Sequence, residues 1–292
     1  MERLWRVIKI SKYHFVIKKL LIIGYGSIGK KHASLIKENF KNIEIYILTS
    51  QRVQEFQTIA NINLITNLGF KYIIICSETS KHLKQILFIE KKLKGVKILV
   101  EKPILHKFKK IILKNNSYYV GYNLRYHPFL KLLKNYIKNK KIYKIMVNCN
   151  TYLPSWRKTD YKKSYSADPK KGGGVLLDLS HEIDYLIWIF GKITIYKSLI
   201  TKKSDLKIDS EHSAMILGQV KSADLMINLD YFSLISRREI IIDLKQYTIK
   251  FDLISNVMTK TDKKKSKKSK LYAYSLENSY FFYSSKNYLF KT

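Results

Sequence analysis

The sequence predicts two domains: an α/β doubly wound parallel sheet, then an α+β domain with a mostly antiparallel open sheet. Three observations predict this. An apolar strand, Leu20-Leu21-Ile22-Ile23, runs straight into Gly24-Tyr25-Gly26-Ser27-Ile28-Gly29 and on into a helical pattern with Ala33, Leu35 and Ile36. Strands and helices alternate over about the first 120 residues, as in a parallel sheet with helices on its faces. From Pro128 onward long strands follow one another, mostly without helices between them, which implies antiparallel pairing. The division this gives is a basic N-terminal extension, residues 1–18, a doubly wound domain, residues 19–124, and an α+β domain, residues 125–292.

The glycine loop has the strand-turn-helix context that a nucleotide-binding Gly-x-Gly-x-x-Gly requires. Gly24 permits the tight turn, Gly26 lets a pyrophosphate approach, and Gly29 allows close helix–strand packing. Ser27 and Ile28 lie at the helix start, where free amides and the helix dipole favour anionic phosphates. The second strand, residues 43–48, ends in Thr49-Ser50-Gln51-Arg52. No carboxylate stands there to repel a 2′-phosphate, whereas Ser50 and Arg52 suit one. NADP is therefore the preferred cofactor and NAD the other candidate.

The third strand, residues 72–76, leads into Ser77, Thr79 and His82, at the carboxyl edge where ligands of open parallel sheets collect. His82 reads equally well as a helix-start residue without chemistry. A fourth strand, residues 96–100, delivers Glu101-Lys102-Pro103 to the same edge, and a fifth, residues 118–120, leads into Gly121-Tyr122-Asn123-Leu124-Arg125.

The second half opens with a helix over residues 129–138, followed by strands at 143–152, 193–201, 213–220, 224–232 and 239–253. A glycine-rich helix, residues 172–190, interrupts them. Asp178 and His181 are three residues apart and fall on one face of that helix. A carboxylate beside an imidazole suits general acid–base chemistry, because it orients the ring and supports its protonated form. The alternative is a capping Asp and a satisfied core His. Trp156, Arg157 and Tyr165 form either a sugar-binding wall or a solvated loop. Residues 260–270 read as a lysine-rich solvent loop, and residues 271–292 as an aromatic, polar tail without helical period.

The 292 residues carry a formal net charge of +33. The cations are spread along the whole chain, and only Arg3, Arg6, Arg52, Arg125, Arg157, Arg237 and Arg238 are arginines. Such a spread implies weak, salt-sensitive association with polyanions, not a dedicated nucleic-acid site. Cys76 and Cys149 both sit in apolar runs, which reads as core thiols in a reducing compartment, with no disulfide framework and no metal site. The N-terminus lacks the pattern of a signal peptide, and no stretch reaches the roughly 18 apolar residues of a membrane span, so a cytoplasmic protein is expected.

Together these stretches resemble the glucose–fructose oxidoreductase/inositol dehydrogenase/rhizopine catabolism (Gfo/Idh/MocA) family, over residues 19–253. The resemblance is carried by the loop from Gly24 to Gly29, by Glu101-Lys102-Pro103, by Gly121-Tyr122-Asn123 with Arg125, and by Gly172-Gly173-Gly174 with Asp178, His181 and Asp184. It implies a Rossmann domain and an oxidoreductase that uses NAD or NADP on a secondary alcohol of a sugar, sugar derivative or cyclitol. It further implies Lys102 polarising the reacting oxygen, His181 as general base, Asp178 orienting His181, Glu101 beside the cofactor, and Asn123 and Arg125 near the substrate. A homodimer through the open face of the second sheet is implied as well.

Two departures stand out. The family usually spaces the Asp and His four apart, not three, and it usually ends in a helix packed across the domains, so a shortened C-terminus is expected here. The wording Leu177-Asp178-Leu179-Ser180-His181-Glu182-Ile183-Asp184-Tyr185 resembles members linked to bacterial surface-polysaccharide and nonulosonic-acid gene sets. That favours a nucleotide sugar or amino sugar as substrate. The competing readings are an inactive NADP-binding remnant of the family and a polyanion-binding protein.

Overall fold

A computed structural model describes residues 19–40, 43–262 and the backbone of 268–272. The basic extension, residues 1–18, and the tail beyond residue 272 lie outside the described residues.

In the first domain the strands are short and apolar on both sides, as a sheet covered on both faces requires. They are β1 (Lys19–Ile23), β2 (Glu44–Leu48), β3 (Gln57–Ile59), β4 (Tyr72–Ile75), β5 (Lys97–Val100) and β6 (Ser117–Val120). Two helices lie among them, α1 (Ser27–Asn39) and α2 (Thr79–Lys92). The period of two in β1 divides its side chains between the layers. Leu20 and Ile22 pack with Ala33 and Ile36 of α1, while Leu21 and Ile23 pack with Ile86 and Ile89 of α2. All pairs are parallel, in the order β3-β2-β1-β4-β5-β6. The strand order reverses between β1 and β4, which opens a crevice at their carboxyl ends.

The expected alternation is incomplete. Between β5 and β6, residues 101–116 form no helix and lay Ile104, Ile111 and Leu113 on the sheet instead. Lys107, Lys109 and Lys110 are exposed there and interrupt any apolar helical stripe.

The second domain is one eight-stranded sheet with helices on one face. Helix α3 (Pro128–Tyr136) is followed by β7 (Ile142–Tyr152), α4 (Val175–Asp178), α5 (His181–Phe190), β8 (Ile193–Thr201), β9 (Ser213–Val220) and β10 (Ala223–Asp230). Then come β11 (Phe232–Leu244), β12 (Tyr247–Asp252), β13 (Val257–Asp262) and β14 (Lys268–Tyr272). The order is β14-β13-β12-β11-β7-β10-β9-β8, antiparallel except where β10 pairs with β7. Inward residues such as Val147, Ile227 and Ile240 join Leu130, Leu186 and Phe190 from the helices in one core. Among the described residues nothing covers the other face. Leu217, Met226, Met146 and Ile241 stand in one cross-strand row on it, with Leu217 and Met226 each more than two-fifths exposed.

Three expectations change. The strand expected at 224–232 ends at Asp230, whose carboxylate takes the Ser233 N–H at 3.0 Å and turns the chain into β11. The strand expected at 239–253 is the end of β11 plus β12, broken at Lys245 and Gln246, neither of which is among the residues that usually mark turns. The loop expected at 260–270 includes the end of β13 and the start of β14, which pair with each other; residues 263–267 lie outside the described residues.

Candidate active site

The nucleotide loop forms one wall of a cleft of about 1260 Å³ at the β1/β4 reversal. Gly24, Gly26, Ser27 and Ile28 line it. Gly24 has φ of +94°, and a Cβ there would lie 2.8 Å from the Ser77 amide nitrogen. Gly29 does not line the cleft but presses on the Gly24 carbonyl, holding α1 against β1. At Gly26 no atom lies within 4 Å of where a Cβ would stand, and α1 has no acidic residue in its first turn. The loop is therefore an open cradle at a helix N-terminus, fit for the pyrophosphate of a dinucleotide.

Thr49, Ser50 and Gln51 at the end of β2 also line the cleft, whereas Arg52 is exposed and does not. Ser77 and Thr79 line it as expected. His82 does not. It is buried, with Nε2 3.0 Å from the Ser77 carbonyl and Nδ1 3.2 Å from that of Pro103, so it ties two edge loops together. Cys76, read from the sequence as a core thiol, is on the cleft wall; burial and the nearby Glu101 push its pKa up.

Glu101 and Lys102 emerge from β5. Glu101 Oε1 lies 2.7 Å from His32 Nε2 of α1, and its carboxylate occupies the space a side chain at Gly121 would need. Lys102 Nζ donates to the Asp178 carbonyl at 2.5 Å, bridging the two domains. Burial lowers its pKa, and the carboxylates of Asp178 and Glu101 work against that.

The glycine-rich segment departs from the expected single helix. Residues 172–174 are not helical, and the helix is broken at Leu179 and Ser180 into α4 and α5. The three glycines admit protein, not ligand. A Cβ on Gly172 would meet Thr79 and His106, one on Gly173 would meet the backbone of Tyr165 and Ser166, and one on Gly174 (φ +124°) would meet the Glu211 carboxylate. The Leu176 amide donates to Glu211 Oε1 at 3.2 Å.

As a result Asp178 ends one helix and His181 begins the next, and no hydrogen bond joins them. Asp178 Oδ2 accepts from the Tyr231 hydroxyl at 2.6 Å, while Asp178 Oδ1 and His181 Nδ1 are buried without partners among the described residues. Asp178 is behind the wall; His181 is on it. The Tyr122 ring stands edge-on to the His181 imidazole at 5.5 Å. Burial first, then the cations of Lys102 and Arg238, hold the His181 pKa well below the ordinary value, so the imidazole is neutral at neutral pH.

Of the expected substrate contacts, Asn123, Arg157 and Tyr165 line the cleft. The Arg157 guanidinium is 5.2 Å from the Tyr165 ring centre. Arg125 and Trp156 do not line it. Arg125 is held in a two-bonded pair by Asp184, at 2.8 and 2.5 Å. The Trp156 indole donates to Thr151 Oγ1 at 2.7 Å and packs edge-on against Tyr231. Arg125 is taken by Asp184 of α5, 59 residues on, and Trp156 by Thr151, five residues back on β7, and by Tyr231 of the β10–β11 link.

Tyr231, Tyr122, Glu211 and the Arg238–Glu182 pair were not found by sequence reading. Tyr231, Glu211 and Arg238 carry no local signal, whereas Tyr122 stands in the Gly121-Tyr122-Asn123 run and Glu182 next to His181.

Fold and site together are those of a two-domain protein with a cleft fit for a dinucleotide at the edge of its parallel sheet. Residues 134–233 match the family model described as "Oxidoreductase family, C-terminal alpha/beta domain" (GFO_IDH_MocA_C). No curated protein matches it. Among solved structures, the WlbA dehydrogenase of Bordetella pertussis, in complex with NADH and UDP-GlcNAcA, is 15% identical with a TM-score of 0.70, over 92% of this chain and 83% of that one. Levoglucosan dehydrogenase, in complex with NADH and levoglucosan, is 14% identical with a TM-score of 0.77, over 93% of this chain and 88% of that one.

Proposed function

We propose that the protein is an NAD(P)-dependent dehydrogenase that moves a hydride between a secondary alcohol of a sugar, sugar nucleotide or cyclitol and the nicotinamide. The observation that carries this reading is the meeting of Lys102 and His181 on one cleft wall with the open nucleotide loop. A bound nicotinamide supplies the hydride acceptor or donor. His181, neutral because of its surroundings, takes the hydroxyl proton. Lys102 hydrogen-bonds the oxygen as negative charge develops there. Asp178 acts on this pair from behind, through its carbonyl bond to Lys102 and the charge of its carboxylate.

A sugar nucleotide is the substrate class we favour. Arg157 and Lys163 line the cleft with no carboxylate partner among the described residues, as a phosphate-bearing substrate would use. UDP-GlcNAcA in the WlbA complex has that chemistry.

NADP is the cofactor we favour, because Thr49 and Ser50 line the end of β2 where a carboxylate would select NAD. Fluorescence titration of the purified protein should give micromolar binding that favours NADPH. Ser50→Asp should weaken NADPH at least about tenfold and NADH by less than about threefold, since only the former carries the repelled phosphate. Equal affinity of the wild type for both nucleotides would refute the preference. Binding of neither by a folded protein would favour the inactive-remnant reading.

We also propose a homodimer through the uncovered sheet face, on the strength of the row Leu217–Met226–Met146–Ile241. Such a contiguous apolar strip on an uncovered sheet is a common mark of an interface. Leu217→Lys with Met226→Lys should convert the protein to a monomer in analytical ultracentrifugation. A wild type that sediments as a monomer would sink the idea.

A further inference from the structure

Beneath the cleft, on the inward side of β11, lies an ion pair to which the reaction gives no direct task. Arg238 Nε donates to Glu182 Oε1 at 2.7 Å and Nη2 reaches Oε2 at 3.3 Å. The Glu182 side chain is fully buried and that of Arg238 is 27% exposed. Around them stand Cys149, opposite Arg238 in the β7–β11 register, and the buried Tyr185 of α5. A buried ion pair of this kind adds little net stability, because desolvation offsets the Coulomb attraction. Its placement suggests another use. Glu182 directly follows His181 in the first turn of α5, a turn that begins at a helix break with no side-chain cap.

We propose that Arg238 is a positioning residue for the reaction: gripping Glu182 with both arms of its guanidinium, it fixes the first turn of α5 and so the imidazole of His181 on the cleft wall. The grip is two-bonded and planar, so it sets the rotation of the turn as well as its distance from the sheet. On the opposite side the crossing segment holds the same helix, with Tyr122 edge-on to His181 and Arg125 on Asp184 one turn later. The first turn of α5 is thus clamped between β11 and the interdomain segment, and His181 Nδ1, which has no partner of its own among the described residues, is oriented by its backbone.

The pair also has an electrostatic consequence. Lys102 from β5 and Arg238 from β11 are the cations that act on the imidazole; the carboxylates on its own and adjoining helix are Asp178 of α4 and Glu182 and Asp184 of α5, the last paired with Arg125 of the crossing segment. Lys102 and Arg238 oppose protonation of the ring, and Glu182 screens part of the Arg238 charge. Removing only Arg238 leaves the Glu182 carboxylate unscreened beside His181. Removing only the Glu182 charge leaves the Arg238 cation unscreened. The two single changes therefore push the imidazole in opposite directions.

This inference rests on the dehydrogenase reading, but its test needs no substrate. NMR of the full chain with ¹³C,¹⁵N-labelled histidine, with the His181 signal assigned by His181→Asn, follows the ring as pH is lowered. In the wild type the ring stays neutral below the ordinary histidine range. Arg238→Met is expected to move its titration up by at least about one pH unit, Glu182→Gln to move it down or leave it untitrated, and the double variant to return it toward the wild type. If Arg238→Met fails to fold because Glu182 is left buried and unpaired, the double variant and Arg238→Lys carry the test. Arg238→Lys keeps the charge but loses the fork, so the titration should stay near that of the wild type while the ring signals broaden or double. Titration that is the same in every folded variant, or that moves the same way in both single variants, overturns the proposal.

Discussion

Replacing Lys102 by Met lowers kcat/KM by about 10²–10³-fold while NADPH affinity stays within about threefold of the wild type. Charge grows on the substrate oxygen as hydride leaves its carbon, and Lys102 is the cation that β5 brings to the cleft wall beside His181. Methionine keeps the apolar stem and removes the donor, so the loss falls on the transition state and not on the fold. Lys102 also donates to the Asp178 carbonyl, and losing that bond loosens the seam between the domains. His181→Ala is expected to have a comparable effect, since no other imidazole among the described residues lines the cleft. The assay is nicotinamide absorbance with sugar nucleotides, alongside fluorescence titration of NADPH. A Lys102→Met variant with undiminished turnover would exclude the assigned role, and one that had lost NADPH binding would place the lysine in cofactor affinity instead.

Lowering the pH from 7 to 4 costs the wild type about 3 kcal/mol more unfolding free energy than it costs His127→Asn. His127 is 2% exposed and begins α3. Its Nδ1 accepts the Phe129 N–H at 3.1 Å, and its Nε2 lies 3.0 Å from Asn256 Oδ1, so the bonds require the neutral ring with its proton on Nε2. Burial, the largest cause, holds its pKa down to about 4 against an ordinary 6.5, with the Asn256 bond opposing and the Arg238 cation adding. Because the folded value is depressed, the unfolded chain takes up the proton first. Stability is intact above about 6.5 and is lost as the pH falls toward 4. His181 and His82, whose pKa values are also lowered, add to the same acid slope in both proteins and cancel in the comparison. Asparagine keeps a cap acceptor for α3 without a titrating ring. Urea unfolding at several pH values measures the difference, and parallel curves for the two proteins would refute it.

Local patterns in this chain were legible where their cause is local. The run from Leu20 to Gly29 declares strand, turn and helix because apolar alternation, tight-turn glycines and helical spacing all act within a few residues. For the same reason Lys102 could be placed at the end of a strand, and the change of rhythm after Pro128 announced a second kind of sheet. The positions of Gly24, Gly26, Ser27, Ile28, Ser50, Ser77 and Thr79 on the cleft follow from their place at strand ends in an open parallel sheet.

Tertiary structure decided what depends on partners far away in sequence. Asp178 and His181 look like a pair on one helical face, but the helix breaks between them and Tyr231, 53 residues downstream, takes the carboxylate. Arg125 reads as a substrate contact until Asp184, 59 residues on, claims it. His82 reads as a cofactor contact until the carbonyls of Ser77 and Pro103 enclose it. The three glycines before α4 look like part of the helix, yet each makes room for distant chain, with Thr79, Tyr165 and Glu211 standing where their side chains would be. Residue type and spacing thus determined the two kinds of sheet, the nucleotide loop and the delivery of Lys102 to the edge of the parallel sheet. Which polar side chains face the cleft and which are used up holding it was decided by long-range pairing, because a buried polar group takes whichever partner the folded chain brings within reach.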